Sequence, residues 1–110
     1  MNSLKGILPA LVTPLRSDGS LQEATVPLLL ERVFAAGCHG TYLAGSTGEG
    51  WLLPLELREQ LCEAVCLATP PGRGVIVHVG AASTRDAVRG IGVTHVEWGT
   101  FLRPGIWVTE

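Results

Sequence analysis

Val75-Ile76-Val77-His78-Val79 is apolar at consecutive positions, with one histidine among four aliphatic side chains. A half-buried strand alternates apolar and polar residues, whereas a continuous short run fits a strand covered on both faces. Such strands belong to parallel sheets sandwiched by helices. Two further short apolar segments precede this one. Ile7 to Leu15 carries two prolines and reads as a buried strand with an irregular exit, and Thr41-Tyr42-Leu43-Ala44 reads as another. A helical pattern follows each of them. Leu21 to Ala36 places Leu29, Val33 and Ala36 on one face, with Pro27 near its start, Thr25 as a cap and Gly37 as its stop. Pro54 to Ala68 repeats Leu57, Leu61, Ala64, Val65 and Ala68 at helical intervals before Pro70-Pro71-Gly72 ends it. Ser17-Asp18-Gly19-Ser20 is a turn by composition. Alternating strands and helices with short loops predict an α/β fold of repeated right-handed units. Periodicity leaves open whether the sheet curls into a barrel.

The third unit breaks the pattern. A helix begins at Ser83-Thr84, yet from Ser83 to Gly92 there are only nine steps, against the minimum of about 10–12 residues for a parallel crossover. A helix over Thr84 to Arg89 rises roughly 9 Å, against about 17 Å for a typical strand. Val93 to Trp98 looks like a fourth strand that arrives too early. Trp98, Phe101, Ile106 and Trp107 then fall among Gly99, Pro104 and Gly105 with no regular spacing. The expected division is therefore a regular α/β portion over 1–89 and a divergent or truncated tail over 90–110.

Composition narrows the class further. The chain has 110 residues, room for one small domain. Hydrophobic residues at 46% against 16% charged argue for a packed core over disorder. A net charge of −2 and no run of Lys or Arg give nucleic acid and anionic membranes nothing to hold. No apolar run approaches the roughly 20 residues of a bilayer span. Met1 to Leu15 resembles a signal-peptide core, but prolines interrupt it and no small-residue cleavage site follows. The three cysteines, Cys38, Cys62 and Cys66, fit reduced thiols, so a cytoplasmic protein is expected.

Gly45-Ser46-Thr47-Gly48-Glu49-Gly50 follows a strand and precedes a helix. Its glycines permit close approach and unusual backbone conformations. Two adjacent hydroxyls and several N–H groups can hold a carboxylate or phosphate at the strand's carboxyl end, where α/β proteins bind ligands. The competing reading is a tight turn whose hydroxyls cap the next helix. No lysine follows the glycines and the spacing is not that of a dinucleotide fingerprint, so a carboxylate fits better than a nucleotide. Cys62 and Cys66 lie one helical turn apart, with His78 or His39 imaginable beside them, but nothing else matches a zinc spacing; small buried hydrophobes are the plainer reading. Cys38-His39 reads as packing, and His78 as a hydrogen-bonded core histidine near a strand end.

The loop resembles the signature of the dihydrodipicolinate synthase/N-acetylneuraminate lyase family. Gly6-Ile7 with Leu11-Val12-Thr13-Pro14 resembles that family's first strand, Asp18-Gly19-Ser20-Leu21 its first turn, and Gly80-Ala81-Ala82-Ser83-Thr84 the end of its third strand. These landmarks stand in family order over residues 5–89. The resemblance implies the first three βα units of a (β/α)8 TIM barrel, which makes 1–89 the N-terminal part of a barrel. It implies a lyase in which pyruvate, or a 2-oxo acid yielding it, forms a Schiff base with a lysine for aldol cleavage or condensation. Ser46 and Thr47 would bind the pyruvate carboxylate, Thr47 also through its N–H. Ser46 would relay a proton to or from a tyrosine, Gly48 would allow close approach, and Glu49 would be structural. No cofactor and no metal are implied, and a homo-oligomer is compatible with the family. Departures are clear. Leu57 stands where the family usually has Glu or Gln. The family's catalytic tyrosine and lysine belong to later strands; Lys5 precedes the first strand and Tyr42 lies within one. A truncated, inactive copy is therefore expected, or a non-catalytic remnant that associates with other barrel segments through unpaired sheet edges.

Overall fold

The computed structural model describes residues 5–80, Arg85 and the backbone of 106–109. Its elements in chain order are helix α1 (Thr25–Ala35), strand β1 (Gly40–Leu43), a 3-10 turn (Gly50–Leu52), helix α2 (Leu55–Ala68), strand β2 (Gly74–His78) and strand β3 (Ile106–Thr109). The sheet runs β1-β2-β3, and both pairings are parallel. Gly40 stands opposite Gly74 and Leu43 opposite Val77, while Val75 pairs with Ile106 and His78 with Thr109.

The expected first strand is reduced to a single parallel bridge between Ala10 and Tyr42. The Tyr42 N–H donates to the carbonyl of Pro9 at 3.0 Å, and the Leu11 N–H to that of Tyr42 at 2.9 Å. Prolines explain the loss of a regular ladder. Pro9 accepts but has no N–H to give, and Pro14 ends the extended run. The segment still occupies the position beside β1, so three consecutive segments lie in chain order across the sheet.

Helix α1 starts later than the pattern suggested. Leu15 and Leu21 form an antiparallel bridge around the Asp18-Gly19 turn, which holds Leu21 outside the helix. Thr25 is the first helical residue and not the cap; Ala24 precedes it without any side-chain capping bond. The buried stripe is also rotated. Val26 and Leu30 are the buried residues, Leu29, Val33 and Phe34 pack partly, and Ala36 is exposed. The helix ends as expected at Gly37, whose φ of +90° is open to glycine. There the Gly37 N–H donates to the Phe34 carbonyl and the Cys38 N–H to that of Val33, a Schellman closure.

Helix α2 follows the sequence reading, with Leu57, Leu61 and Val65 buried and Cys62 and Cys66 beside them. These residues pack with Val26, Leu30, Leu43, Val75, Val77 and Val79 into one core. Each such side chain contributes about 1.5–3 kcal/mol relative to exposure. The helices cover one face of the sheet. Thr41, Leu43, Val75 and Val77 point to that face and are buried, whereas Tyr42, Ile76 and His78 alternate with them and remain half-exposed. The consecutive apolar run in β2 had indicated cover on both faces; among the described residues only one is covered.

β3 lies in the stretch where no regular element was expected. Residues 79–105 connect it to β2, ample length for a parallel crossover. The expected helix from Ser83 and strand over Val93 to Trp98 fall outside the described residues, except that Arg85 is helical. Among the described residues no helix is long and apolar enough to cross a membrane.

Candidate anion-binding site at the strand tips

The chain leaves β1 through Ala44 and turns at once, with Ala44 at φ 57° and Glu49 at φ 59°. Both are left-handed conformations that cost a non-glycine residue about 1–2 kcal/mol. The glycines of Gly45 to Gly50 serve a different purpose from the one the sequence suggested. None of them has positive φ; they are small because the loop is packed tight. A Cβ on Gly50 would collide with the Ala44 carbonyl oxygen, and one on Gly45 with the Tyr42 ring. On Gly48 it would meet the Leu11 carbonyl oxygen at 3.0 Å and the Ala44 nitrogen at 3.1 Å. The loop is thus folded back on the strand that launches it.

Two backbone bonds close the turn, from the Glu49 N–H to the Ser46 carbonyl at 3.1 Å and from the Gly50 N–H to the Gly45 carbonyl at 3.0 Å. The N–H groups of Ser46, Thr47 and Gly48 take no part in that closure. Ser46 and Thr47 are exposed, while Gly45, Gly48 and Gly50 are buried. Neither the 3-10 turn nor α2 receives a side-chain capping bond, so the hydroxyls are not helix caps. An exposed hydroxyl pair on a rigid loop, beside backbone donors the turn does not consume, can hold a small anion at fixed distance.

Neighbouring elements brace this loop. Thr13 Oγ1 donates to the Gly48 carbonyl at 2.6 Å, joining the first inter-element segment to the second. From α2, Arg58 donates through Nη2 to the His78 carbonyl at 2.6 Å and through Nη1 to that of Gly80 at 3.0 Å. Half-burial lowers the pKa of its guanidinium through desolvation. The sequence reading gave neither residue a role at the site. Arg58 is marked only by being basic within an otherwise acidic and apolar helix, and Thr13 only by its hydroxyl before a proline.

The other residues singled out by sequence are dispersed. Lys5 precedes Ile7, whose carbonyl pairs with the His39 N–H at the start of β1, so it lies at the rim opposite the loop. Tyr42 is on the open face, with its ring centroid 6.2 Å from that of His78; Trp51 stands 6.4 Å from the same ring. A hydrogen-bonded core histidine was expected at His78; the residue is half-exposed, and among the described residues its buried Nδ1 has no partner. His39 is exposed, and its Nδ1 accepts from the Ile7 N–H at 3.0 Å, a structural contact and not half of a catalytic pair with Cys38. Cys62 and Cys66 place their Sγ atoms 3.9 Å apart in the core. The Cys66 contact and burial push the Cys62 thiol far up and keep it neutral. Among the described residues no cluster of metal-ligating side chains forms.

Comparison with known proteins supplies the context for this geometry. N-acetylneuraminate lyase of Shigella boydii serotype 4 is 35% identical over 85 residues, covering 77% of this chain and 29% of the relative's length. 4-Hydroxy-tetrahydrodipicolinate synthase of Phenylobacterium zucineum is 40% identical over 85 residues, covering 76% and 28%. The solved Proteus mirabilis N-acetylneuraminate lyase superposes with a TM-score of 0.81 at 29% identity, over 86% of this chain and 32% of that one. The chain therefore spans about a third of the length of the relatives it matches, and its parallel sheet with helices on one face corresponds to part of their TIM barrel. Residues 3–94 match the Dihydrodipicolinate synthetase family, and with the sheet order and the glycine-packed strand tip in agreement, the chain belongs to that family.

Proposed function

We propose that these residues carry the carboxylate-binding corner of a pyruvate-dependent lyase, with Ser46 and Thr47 gripping the acid end of a 2-oxo acid. The observation that supports this most is the exposed hydroxyl pair on a loop packed too tightly for any side chain at Gly45 or Gly50. Ser46 and Thr47 Oγ atoms, with the N–H groups of Thr47 and Gly48, offer donors that match the two oxygens of a carboxylate. Ser46 also passes a proton to or from a tyrosine hydroxyl during C–C bond making or breaking. The parent reaction is Schiff-base aldol cleavage or condensation, in which a lysine amine makes the 2-oxo carbon an electron sink. Lys5, the sole lysine in the sequence, stands on the far rim, so that amine comes from outside these residues. The 110 residues alone are then inactive. In this reading residues 1–89 are the barrel portion and 90–110 a segment of different character, whose β3 supplies the neighbour of β2.

A second reading rests on the uncovered sheet face. Tyr42, Ile76 and His78 are half-exposed on a parallel sheet, a kind of sheet that is ordinarily covered on both sides. Association with further barrel segments, or with a second copy, would cover it without any catalysis by this chain.

Titration of pyruvate into the isotope-labelled chain tests the first reading. The amide resonances of Ser46, Thr47 and Gly48 are expected to shift saturably, and the double substitution Ser46→Ala with Thr47→Ala is expected to weaken binding at least tenfold. Borohydride with pyruvate is expected to leave no covalent adduct. An absence of shifts at the loop would refute the site, and an adduct on Lys5 would refute the placement of the amine.

A further inference from the structure

Among the described residues two buried side-chain atoms lack a hydrogen-bond partner, Thr41 Oγ1 on the helix-covered face and His78 Nδ1, and the pyruvate reading uses neither. His78 Nδ1 is shielded from solvent and has no hydrogen-bond partner among the described residues, whereas most buried polar groups in proteins are paired. Its position relates it to the loop. Leu43 at the end of β1 stands opposite Val77, so His78 is level with Ala44, the first residue of the loop. Its side chain shares the open face with Tyr42, the face that α1 and α2 leave uncovered. The ring has Tyr42 and Trp51 as neighbours, with centroids 6.2 and 6.4 Å away, and Trp51 follows the loop directly.

Local structure holds the imidazole there. Arg58 clamps the His78 and Gly80 carbonyls from the helix side, fixing the end of β2 at two points. Gly80 has no side chain where one would intrude: a Cβ there would lie 2.6 Å from His78 Cε1. The ring is packed and, among the described residues, left with an unpartnered nitrogen.

We propose that His78 is a further ligand-holding residue of the same site, with its imidazole hydrogen-bonding the 2-oxo oxygen of the acid whose carboxylate Ser46 and Thr47 hold. This rests on the reading of the loop as a carboxylate site and adds to it. In a 2-oxo acid the keto oxygen lies on the carbon next to the carboxylate, so a donor on the adjacent strand at the same level can reach it while the loop holds the acid end. The imidazole serves as a hydrogen-bond donor, with the Tyr42 and Trp51 rings as its neighbours. A carboxylic acid of the same size without the oxo group leaves this contact unused. The site therefore discriminates 2-oxo acids from simple carboxylates through a polar group that would otherwise lie buried and unpaired.

The test compares pyruvate with propionate on the labelled full chain, following the Ser46 to Gly48 amides and the His78 ring nitrogens together. Both acids are expected to move the amides, and only pyruvate to move a His78 nitrogen. His78→Phe is expected to weaken pyruvate binding about five- to tenfold and to leave propionate unchanged, the range of one hydrogen bond at a partly buried site. His78→Asn, which keeps a donor, should recover part of the loss, and the wild-type titration needs no variant to fold. If both acids shift the amides but pyruvate leaves His78 unmoved, or both acids move His78 alike, the inference falls while the carboxylate site stands. If neither acid moves the amides, the carboxylate reading itself fails and takes the inference with it.

Discussion

Thr13 Oγ1 donates to the carbonyl oxygen of Gly48 across 2.6 Å, so a residue from the proline-rich first segment fixes the middle of the loop after β1. The two segments are distant in sequence and adjacent only because Ala10 pairs with Tyr42. Thr13→Val keeps the shape and removes the donor. It is expected to destabilise the fold by about 1 kcal/mol in urea unfolding and to speed amide exchange at Glu49 and Gly50. Thr13→Ser should behave like the parent. Unchanged exchange in the valine variant would show that the bond does not hold the loop.

Gly50 and Gly72 separate two reasons for glycine. A Cβ at Gly50 would overlap the Ala44 carbonyl oxygen, while Gly72 has φ +89° with nothing within 4 Å of a built Cβ. Gly50→Ala is expected to cost about 2–3 kcal/mol, or to prevent folding, because backbone has to move. Gly72→Ala should cost about 1 kcal/mol, from backbone strain alone. Equal losses in thermal unfolding would contradict the packed-loop geometry.

The three thiols should react in two classes. Cys62 and Cys66 are buried, and burial with the Cys66 contact disfavours the Cys62 thiolate, whereas Cys38 is half-buried near the start of β1. Because the thiolate is the nucleophile, a disulfide reagent should titrate Cys38 in the native protein and the other two only in denaturant. Three equally fast thiols would mean that α2 does not pack against the sheet as described.

Acid titration should single out Asp18. Its carboxylate accepts from the Ser20 hydroxyl at 2.6 Å and the Ser20 N–H at 2.9 Å. The hydroxyl bond is the main cause of a pKa held below the ordinary 3.8. A depressed folded-state pKa gives a contribution fully present above the unfolded value of about 3.9, lost as pH falls through the lower folded value. Carboxyl resonances should therefore show Asp18 titrating below that value, and Ser20→Ala should raise its midpoint. An unchanged midpoint in the variant would remove the hydroxyl as the cause.

Much of the architecture was legible from local pattern. Leu57, Leu61 and Val65 were readable as a helix face because 3.6-residue spacing records burial along one side. Val75 to Val79 was readable as a strand because few other structures favour consecutive β-branched residues. The Gly45 to Gly50 loop was readable as a candidate site from its position between a strand and a helix. Less legible was the first segment, where Pro9 and Pro14 hide a strand-like path that only the pairing with Tyr42 reveals. β3 was missed because a four-residue strand has too little periodicity to stand out among Pro104, Gly105 and Trp107.

Sequence by itself determined the α/β class, the two helices, the family resemblance and the hydroxyl pair, all of which depend on neighbours within a few residues. Tertiary structure alone decided that in the loop after β1 Ala44 and Glu49, and not Gly45, Gly48 or Gly50, carry the left-handed backbone, and that Thr13 and Arg58 brace the strand tips. It also left His78 with a nitrogen that has no partner among the described residues. The physical reason is that a spacing rule reports which side of an element is buried. A steric collision or an unmet hydrogen bond depends on atoms brought together from distant parts of the chain.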